Sequence, residues 1–158
     1  MKQLLEQTAD RRSSYGGGSA AALSCALAAA LVEKLASQPS RARGGQAGRT
    51  GSAATARSLR ACCARLIEAD AKAFARVVRA GARQDRNTLR RALTVATDIP
   101  CQVGECAQQV LSIARRIRAR VSPRYRVDLR CAEALAAAAK QSAQALAAAN
   151  RVWMRQLP

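Results

Sequence analysis

The 158-residue chain has no histidine, only four aromatic residues, four prolines and four lysines, and 10 acidic residues against 27 basic ones. Without histidine there is no His-dependent catalytic triad, no mixed His/Cys zinc site and no imidazole acid–base chemistry. A general acid or base must then be a carboxylate, a lysine, a cysteine or a tyrosine. The scarcity of aromatic and β-branched residues argues against sheet and removes the stacking platforms that hold single-stranded nucleic acid. Long hydrophobic runs are also missing. The Ala-rich stretch Ala20 to Val32 covers about 13 residues, short of the roughly 20 needed to span a bilayer, so no membrane segment is expected.

What is present favours helix. Alanine supplies 38 residues and arginine 23, both strong helix formers. The length suits a single domain over residues 1–158, large enough to bury a core without metal or disulfides. The six cysteines (Cys25, Cys62, Cys63, Cys101, Cys106, Cys131) form no CxxC pair and show no common zinc spacing. Most sit in apolar helical stretches, where cysteine acts as a small hydrophobe, so no metal site is expected. Met1 to Asp10 reads as amphipathic and charged near both ends, unlike a signal peptide. The expectation is a reduced, cytoplasmic protein.

The formal net charge of +17 attracts anions: nucleic acid, acidic headgroups or a small polyanionic substrate. Part of it is explained without a ligand, since GC-rich coding raises alanine and arginine together. A basic nucleic-acid-binding module is one reading, resting on the charge and on Arg41-Ala-Arg43-Gly-Gly-Gln-Ala-Gly-Arg49. No helix-turn-helix pattern or basic readout face accompanies it, so specific nucleic-acid binding is not expected.

Along the chain, a short helix is expected at about Lys2 to Ala9, then the break Arg11 to Ser19. Ser19 is expected to N-cap a helix running to about Ala36. Ser37 to Ser52, with Pro39, four glycines and three arginines, reads as a mobile loop. A long helix follows from about Ala53 to Ala82. Another starts near Thr88 and is expected to end near Ile99, because Pro100 disfavours helical geometry in the residue before it. Two more, about Gln102 to Arg120 and Tyr125 to Arg155, are separated at Ser122-Pro123. The predicted fold is all-α, a compact bundle of five to six helices, its alanine faces packed closely and its long faces completed by a homodimer.

In the long helix Leu59, Cys63, Leu66, Ala73 and Val77 form a buried-type stripe, and Asp70 occupies the vacant position in it. Aspartate is a poor mid-helix residue, and a desolvated carboxylate is costly unless paired or hydrogen-bonded. Either Asp70 makes an internal salt bridge to an arginine, or it is a catalytic acid–base group. Asp128 shares a face with Cys131 and Leu135, but lies near a helix start, where aspartate favours the dipole and free N–H groups. Gly16-Gly17-Gly18-Ser19, leading into a helix, permits close backbone approach and presents N–H groups to an anion. It lacks the P-loop ending, and by itself it reads first as a flexible turn between two helices.

Together these residues resemble a known family. Tyr15-Gly-Gly-Gly-Ser-Ala-Ala-Ala-Leu running into Ala28-Ala-Ala-Leu-Val-Glu33 is similar to the opening of the cyclodeaminase/cyclohydrolase family. That family comprises the cyclodeaminase domain of formiminotransferase-cyclodeaminase and stand-alone methenyltetrahydrofolate cyclohydrolases. Glu68-Ala-Asp70-Ala-Lys-Ala-Phe74 resembles its D-A-x-A-F block, and Arg91 to Pro100 its spaced alanines ending in proline. Asp128 through Cys131 to Asn150 resembles its last helix. The departures are Tyr15 for a proline, Val121-Ser122 for Gly-Asn, Val127 for a serine and Leu146 for an asparagine.

The resemblance implies a helical homodimer acting on one-carbon tetrahydrofolates, with Asp70 catalytic and Gly16, Gly17, Gly18, Ser19, Asp128 and Asn150 binding substrate. It implies neither metal nor redox cofactor, the tetrahydrofolate being substrate, and its glutamate carboxylates would be drawn by the arginines. The expected activity is hydrolysis of 5,10-methenyltetrahydrofolate to 10-formyltetrahydrofolate. It is preferred to formiminotetrahydrofolate cyclodeaminase because no formiminotransferase domain accompanies the segment. Cyclodeamination is one alternative. A diverged, non-catalytic folate- or polyanion-binding helical protein is another, given the lost polar residues.

Overall fold

The computed structural model describes residues 2–38 and 46–157, with only the backbone described for 46–50. Five α-helices follow one another: α1 (Lys2–Ala9), α2 (Gly17–Ala36), α3 (Gln46–Ala82), α4 (Arg86–Ile117) and α5 (Arg126–Gln156). Two 3-10 turns, Arg118–Arg120 and Pro123–Tyr125, join α4 to α5, and no strand occurs among the described residues. Helix α2 lies between α3 and α5; α4 closes the ring and touches α2 across its centre. Helix α1 buries no residue.

Side-chain contacts fix the helix directions. Ser19 at the start of α2 meets Asp70 late in α3, while Glu33 near its end meets Arg57 early in α3. Lys34 of α2 likewise meets Asp128 at the start of α5. Thus α3 and α5 both run antiparallel to α2. This arrangement places the glycine turn, the middle of α3 and the last third of α5 at one end of the bundle.

Small residues explain the packing. Ala22, Ala28, Ala29, Ala56, Ala107, Ala114, Ala132 and Ala136 are fully buried, and the core holds no aromatic residue. Alanine faces let the backbones approach closely, as the composition leads one to expect. The stripe Leu59, Cys63, Leu66, Ala73 and Val77 is buried throughout. Cys25, Cys63 and Cys106 are buried thiols in this core, and all six cysteines are free. Helix α2, over its 20 residues, is the one described helix long and apolar enough to cross a membrane, and half of that stretch is buried inside the bundle. The apolar element is therefore longer than the Ala20 to Val32 run.

Four local expectations are corrected. Gly16, not Ser19, is the N-cap of α2, and it offers no side-chain cap. Ser19 sits inside the first turn with its hydroxyl turned onto α3. The loop expected over Ser37 to Ser52 is helical from Gln46; the basic stretch at 41–45 lies outside the described residues. Pro100 does not end a helix, because α4 runs unbroken from Arg86 to Ile117, and no separate helix begins at Gln102. Proline removes one intrahelical donor and leaves the carbonyl four residues back without its partner. Here that carbonyl belongs to Ala96, and it accepts the side-chain amide of Asn150 at 2.8 Å. A neighbouring helix thus replaces the lost bond.

The α3–α4 turn passes through Gln84, the one described non-glycine residue with positive φ (55°). Asp85 then caps α4, accepting from the Thr88 backbone N–H at 3.0 Å and its hydroxyl at 2.6 Å. At the opposite end of the bundle, Glu33 accepts Arg57 and Arg60, each at 2.8 Å. Hydrogen bonds from Arg60 and Arg57 hold its carboxyl below the usual range.

Candidate active site

Asp70 projects from the middle of α3 onto the N-terminus of α2. Its Oδ2 lies 3.0 Å from the Ser19 hydroxyl, and the Ser19 backbone N–H lies close enough to favour the ionised carboxylate. Gly18 packs directly against it: a Cβ built on Gly18 would overlap the Asp70 carboxyl oxygens. Since Gly16 provides no capping side chain, the carboxylate of α3 acts as a cap from outside the helix, facing its orphan N–H groups and the positive end of the dipole. No ion pair involves Asp70 among the described residues, so the internal salt bridge to an arginine is not found.

Two influences oppose each other at this carboxylate. Burial disfavours its charge and raises its pKa; the Ser19 hydroxyl and N–H favour the ionised form, and burial prevails. The surroundings serve both protonation states. The Ser19 Oγ is also 3.0 Å from the Ile67 carbonyl oxygen, and a hydroxyl has a single proton to give. When Asp70 is ionised, that proton goes to Oδ2. When Asp70 is protonated, Ser19 can donate to Ile67 and accept from the carboxyl. Neither state strands a buried polar group, so the carboxyl can gain and lose a proton without rearranging the backbone.

Two apolar side chains border these residues. Leu146 of α5 lies 3.6 Å from a Cβ built on Gly17, so it borders the glycine turn as a hydrocarbon wall. Phe74, one turn beyond Asp70, is 46% exposed and presents an aromatic surface beside it. Asn150, one turn beyond Leu146, spends an amide hydrogen on Ala96.

The structure therefore brings together Gly16, Gly17, Gly18, Ser19 and Asp70, with Asn150 nearby in a bond that repairs α4. It does not bring Asp128 to them within one chain. Asp128 pairs with Lys34 at 3.1 Å, and the sixteen residues from Gly18 to Lys34 amount to about 24 Å of helix. Sequence reasoning misses that Ser19 serves Asp70. The signal for it is a serine three places into a helix whose own cap position is glycine.

Two open cavities lie elsewhere. One of about 600 Å3 between α4 and α5 is lined by groups including Glu105, Gln108, Gln144, Lys140 and Arg151. Another of about 410 Å3 lies between α3 and α4. Neither includes Asp70. No group of three or more potential metal ligands is assembled among the described residues.

A search of curated proteins finds no match. Among solved structures, formiminotetrahydrofolate cyclodeaminase from Thermotoga maritima superposes with a TM-score of 0.91 at 20% identity, over 99% of this chain and 80% of that one. At that identity the likeness establishes the fold. The family model for formiminotransferase-cyclodeaminase matches residues 1–155. With nearly the whole chain matched and the bundle shared, the protein belongs to the formiminotransferase-cyclodeaminase family.

Proposed function

We propose that the protein hydrolyses 5,10-methenyltetrahydrofolate to 10-formyltetrahydrofolate, with Asp70 as the acid–base residue. The observation that carries this reading is the Asp70–Ser19 pair, a half-buried carboxyl with raised pKa whose partner accommodates both protonation states. The substrate carbon lies between two nitrogens in a cationic amidinium and is already electrophilic. Ionised Asp70 takes a proton from the attacking water as the C–O bond forms. The protonated carboxyl then delivers that proton to N5 as the C–N5 bond breaks, and the hydroxyl proton leaves to solvent as the formyl group forms. Donors on the ionised state favour base-first chemistry of this kind. Exposed Phe74 offers a face for the ligand's rings, and the glycine turn allows close approach.

Cyclodeamination of 5-formiminotetrahydrofolate is the second reading, favoured by the activity named for the Thermotoga structure. There the same carboxyl would protonate the departing ammonia as N10 attacks. We take the working assembly to be a homodimer, because Leu5, Leu27, Phe74 and Val78 leave apolar surface exposed that a second copy would cover.

The test is the decay of 5,10-methenyltetrahydrofolate absorbance with wild type, Asp70→Asn and a buffer blank, the last because the compound also hydrolyses unaided. Acceleration by wild type that disappears in the variant is expected. Acceleration that survives in Asp70→Asn removes Asp70 from the mechanism. No acceleration by wild type, with ammonia released from 5-formiminotetrahydrofolate, selects the second reading.

A further inference from the structure

Arg76 and Arg79 of α3, and Arg83 in the turn just after it, face Arg91 of α4 across the open groove of about 410 Å3. All four are exposed, and none forms an ion pair among the described residues. Arg76, Arg79 and Arg83 follow spacings of three and four, and the Arg83 backbone N–H still bonds to the Arg79 carbonyl at 3.3 Å, so the three lie on one side of the end of α3. Like charges at this spacing repel and weaken the helix. A guanidinium does not lose its proton in proteins, so the repulsion is relieved only by anions, bound or in the surrounding salt. Asp85, at the head of α4, is close enough to Arg91 to interact with it. Both its oxygens already accept from Thr88, and it offers one negative charge to four positive ones.

We infer that this groove is a binding site for a short oligophosphate. Buried Ala80 and the apolar side chains of Ala92 and Val95 line it beside the arginines, and low-dielectric walls strengthen the field of a charged cleft. The arginines come from two opposing walls. A tetrahedral phosphate presents oxygens in several directions and can meet guanidinium forks from both walls at once. A single carboxylate has one negative charge and two oxygens, which two guanidiniums already exhaust, as Arg57 and Arg60 do on Glu33. Linked phosphates also supply enough negative charge within a small volume to match four arginines. The site is separate from Asp70: Arg76 lies six residues further along α3, about 9 Å along the axis and roughly 120° around it.

The test is titration calorimetry of the full chain with inorganic tripolyphosphate at about 0.15 M salt, where exposed charges more than about 8 Å apart are screened. Three proteins are compared: wild type, Arg79→Gln/Arg83→Gln, and Arg115→Gln/Arg116→Gln. The last removes the same charge from exposed arginines near the other end of α4. Because every altered side chain is exposed, both variants are expected to fold, checked by circular dichroism. Saturable binding by wild type, weakened by about tenfold or more in the groove variant and by less than about twofold in the control, is expected for charge-assisted contacts. Equal weakening in the two variants would mean that binding reports only the net charge, and the site would fall. Absence of saturable binding to wild type would also overturn it. Citrate binding as tightly as tripolyphosphate would overturn the phosphate assignment.

Discussion

The Asp70 carboxylate packs so closely on Gly18 that a methyl group there would overlap it, whereas the same group on Gly17 would meet only the Leu146 side chain, at 3.6 Å. Gly18→Ala is therefore expected to displace Asp70, abolish turnover and cost about 1–3 kcal/mol in urea unfolding. Gly17→Ala is expected to be neutral or to stabilise by up to about 1 kcal/mol, alanine being the better helix former. Equal behaviour of the two would contradict the packing.

Asp70→Asn separates catalysis from stability. The folded carboxyl binds its proton more tightly than the ordinary value of 3.8 implies, so ionisation costs the fold. That cost is absent below the unfolded pKa and complete above the folded one. The variant is expected to be at least as stable as wild type at pH 7, with its relative advantage shrinking as the pH falls from the raised folded pKa towards 3.8 and gone below it. A variant markedly less stable at pH 7 than at pH 4, relative to wild type, would reverse the sign and refute the burial argument.

Ser19→Ala acts on the same carboxyl from the other direction. The serine hydroxyl lowers the Asp70 pKa, and removing it leaves burial less opposed. If ionised Asp70 is the base, the acid limb of kcat/KM moves to higher pH in the variant. A limb that stays put, or moves down, would show that the rate depends on some other group.

Asn150 and Pro100 are expected to be energetically coupled. Asn150→Ala leaves the Ala96 carbonyl without the partner that compensates for proline, a loss of about 1–3 kcal/mol. With Pro100→Ala already in place, position 100 regains a backbone N–H for that carbonyl, and Asn150→Ala should then cost less. A double-mutant cycle reads the difference. Strict additivity would mean that the amide contributes nothing to repairing α4.

The bounds of α1, the end of α2 and the end of α3 follow from propensity and punctuation, and the stripe around Asp70 follows from helical periodicity. Each depends on residues within a few turns of one another. Pro100 shows where such local rules stop. Its cost is real, but the compensating donor lies fifty-four positions from Ala96, and no rule of neighbouring residues supplies it. Helix α3 begins earlier than its composition suggests. Glycine and proline around 39–48 are loop signals, yet the helix extends into the C-terminal part of that stretch.

The candidate site divides in the same way. Asp70 and the glycine turn each stand out alone, through a carboxylate in an apolar stripe and a flexible stretch next to a helix start. Their meeting is decided by the tertiary structure: Ser19 and Asp70 are fifty-one positions apart and touch because α3 runs antiparallel to α2. The same antiparallel packing carries Asp128 to Lys34 at the far end of α2, away from Asp70, and the packing of α4 on α3 gathers four arginines around one groove. Composition and period determined the all-helical bundle, because helix formation and facial segregation are local. The tertiary structure alone decided which charges, carbonyls and hydroxyls became neighbours, because those depend on which helix ends the packed core brings together.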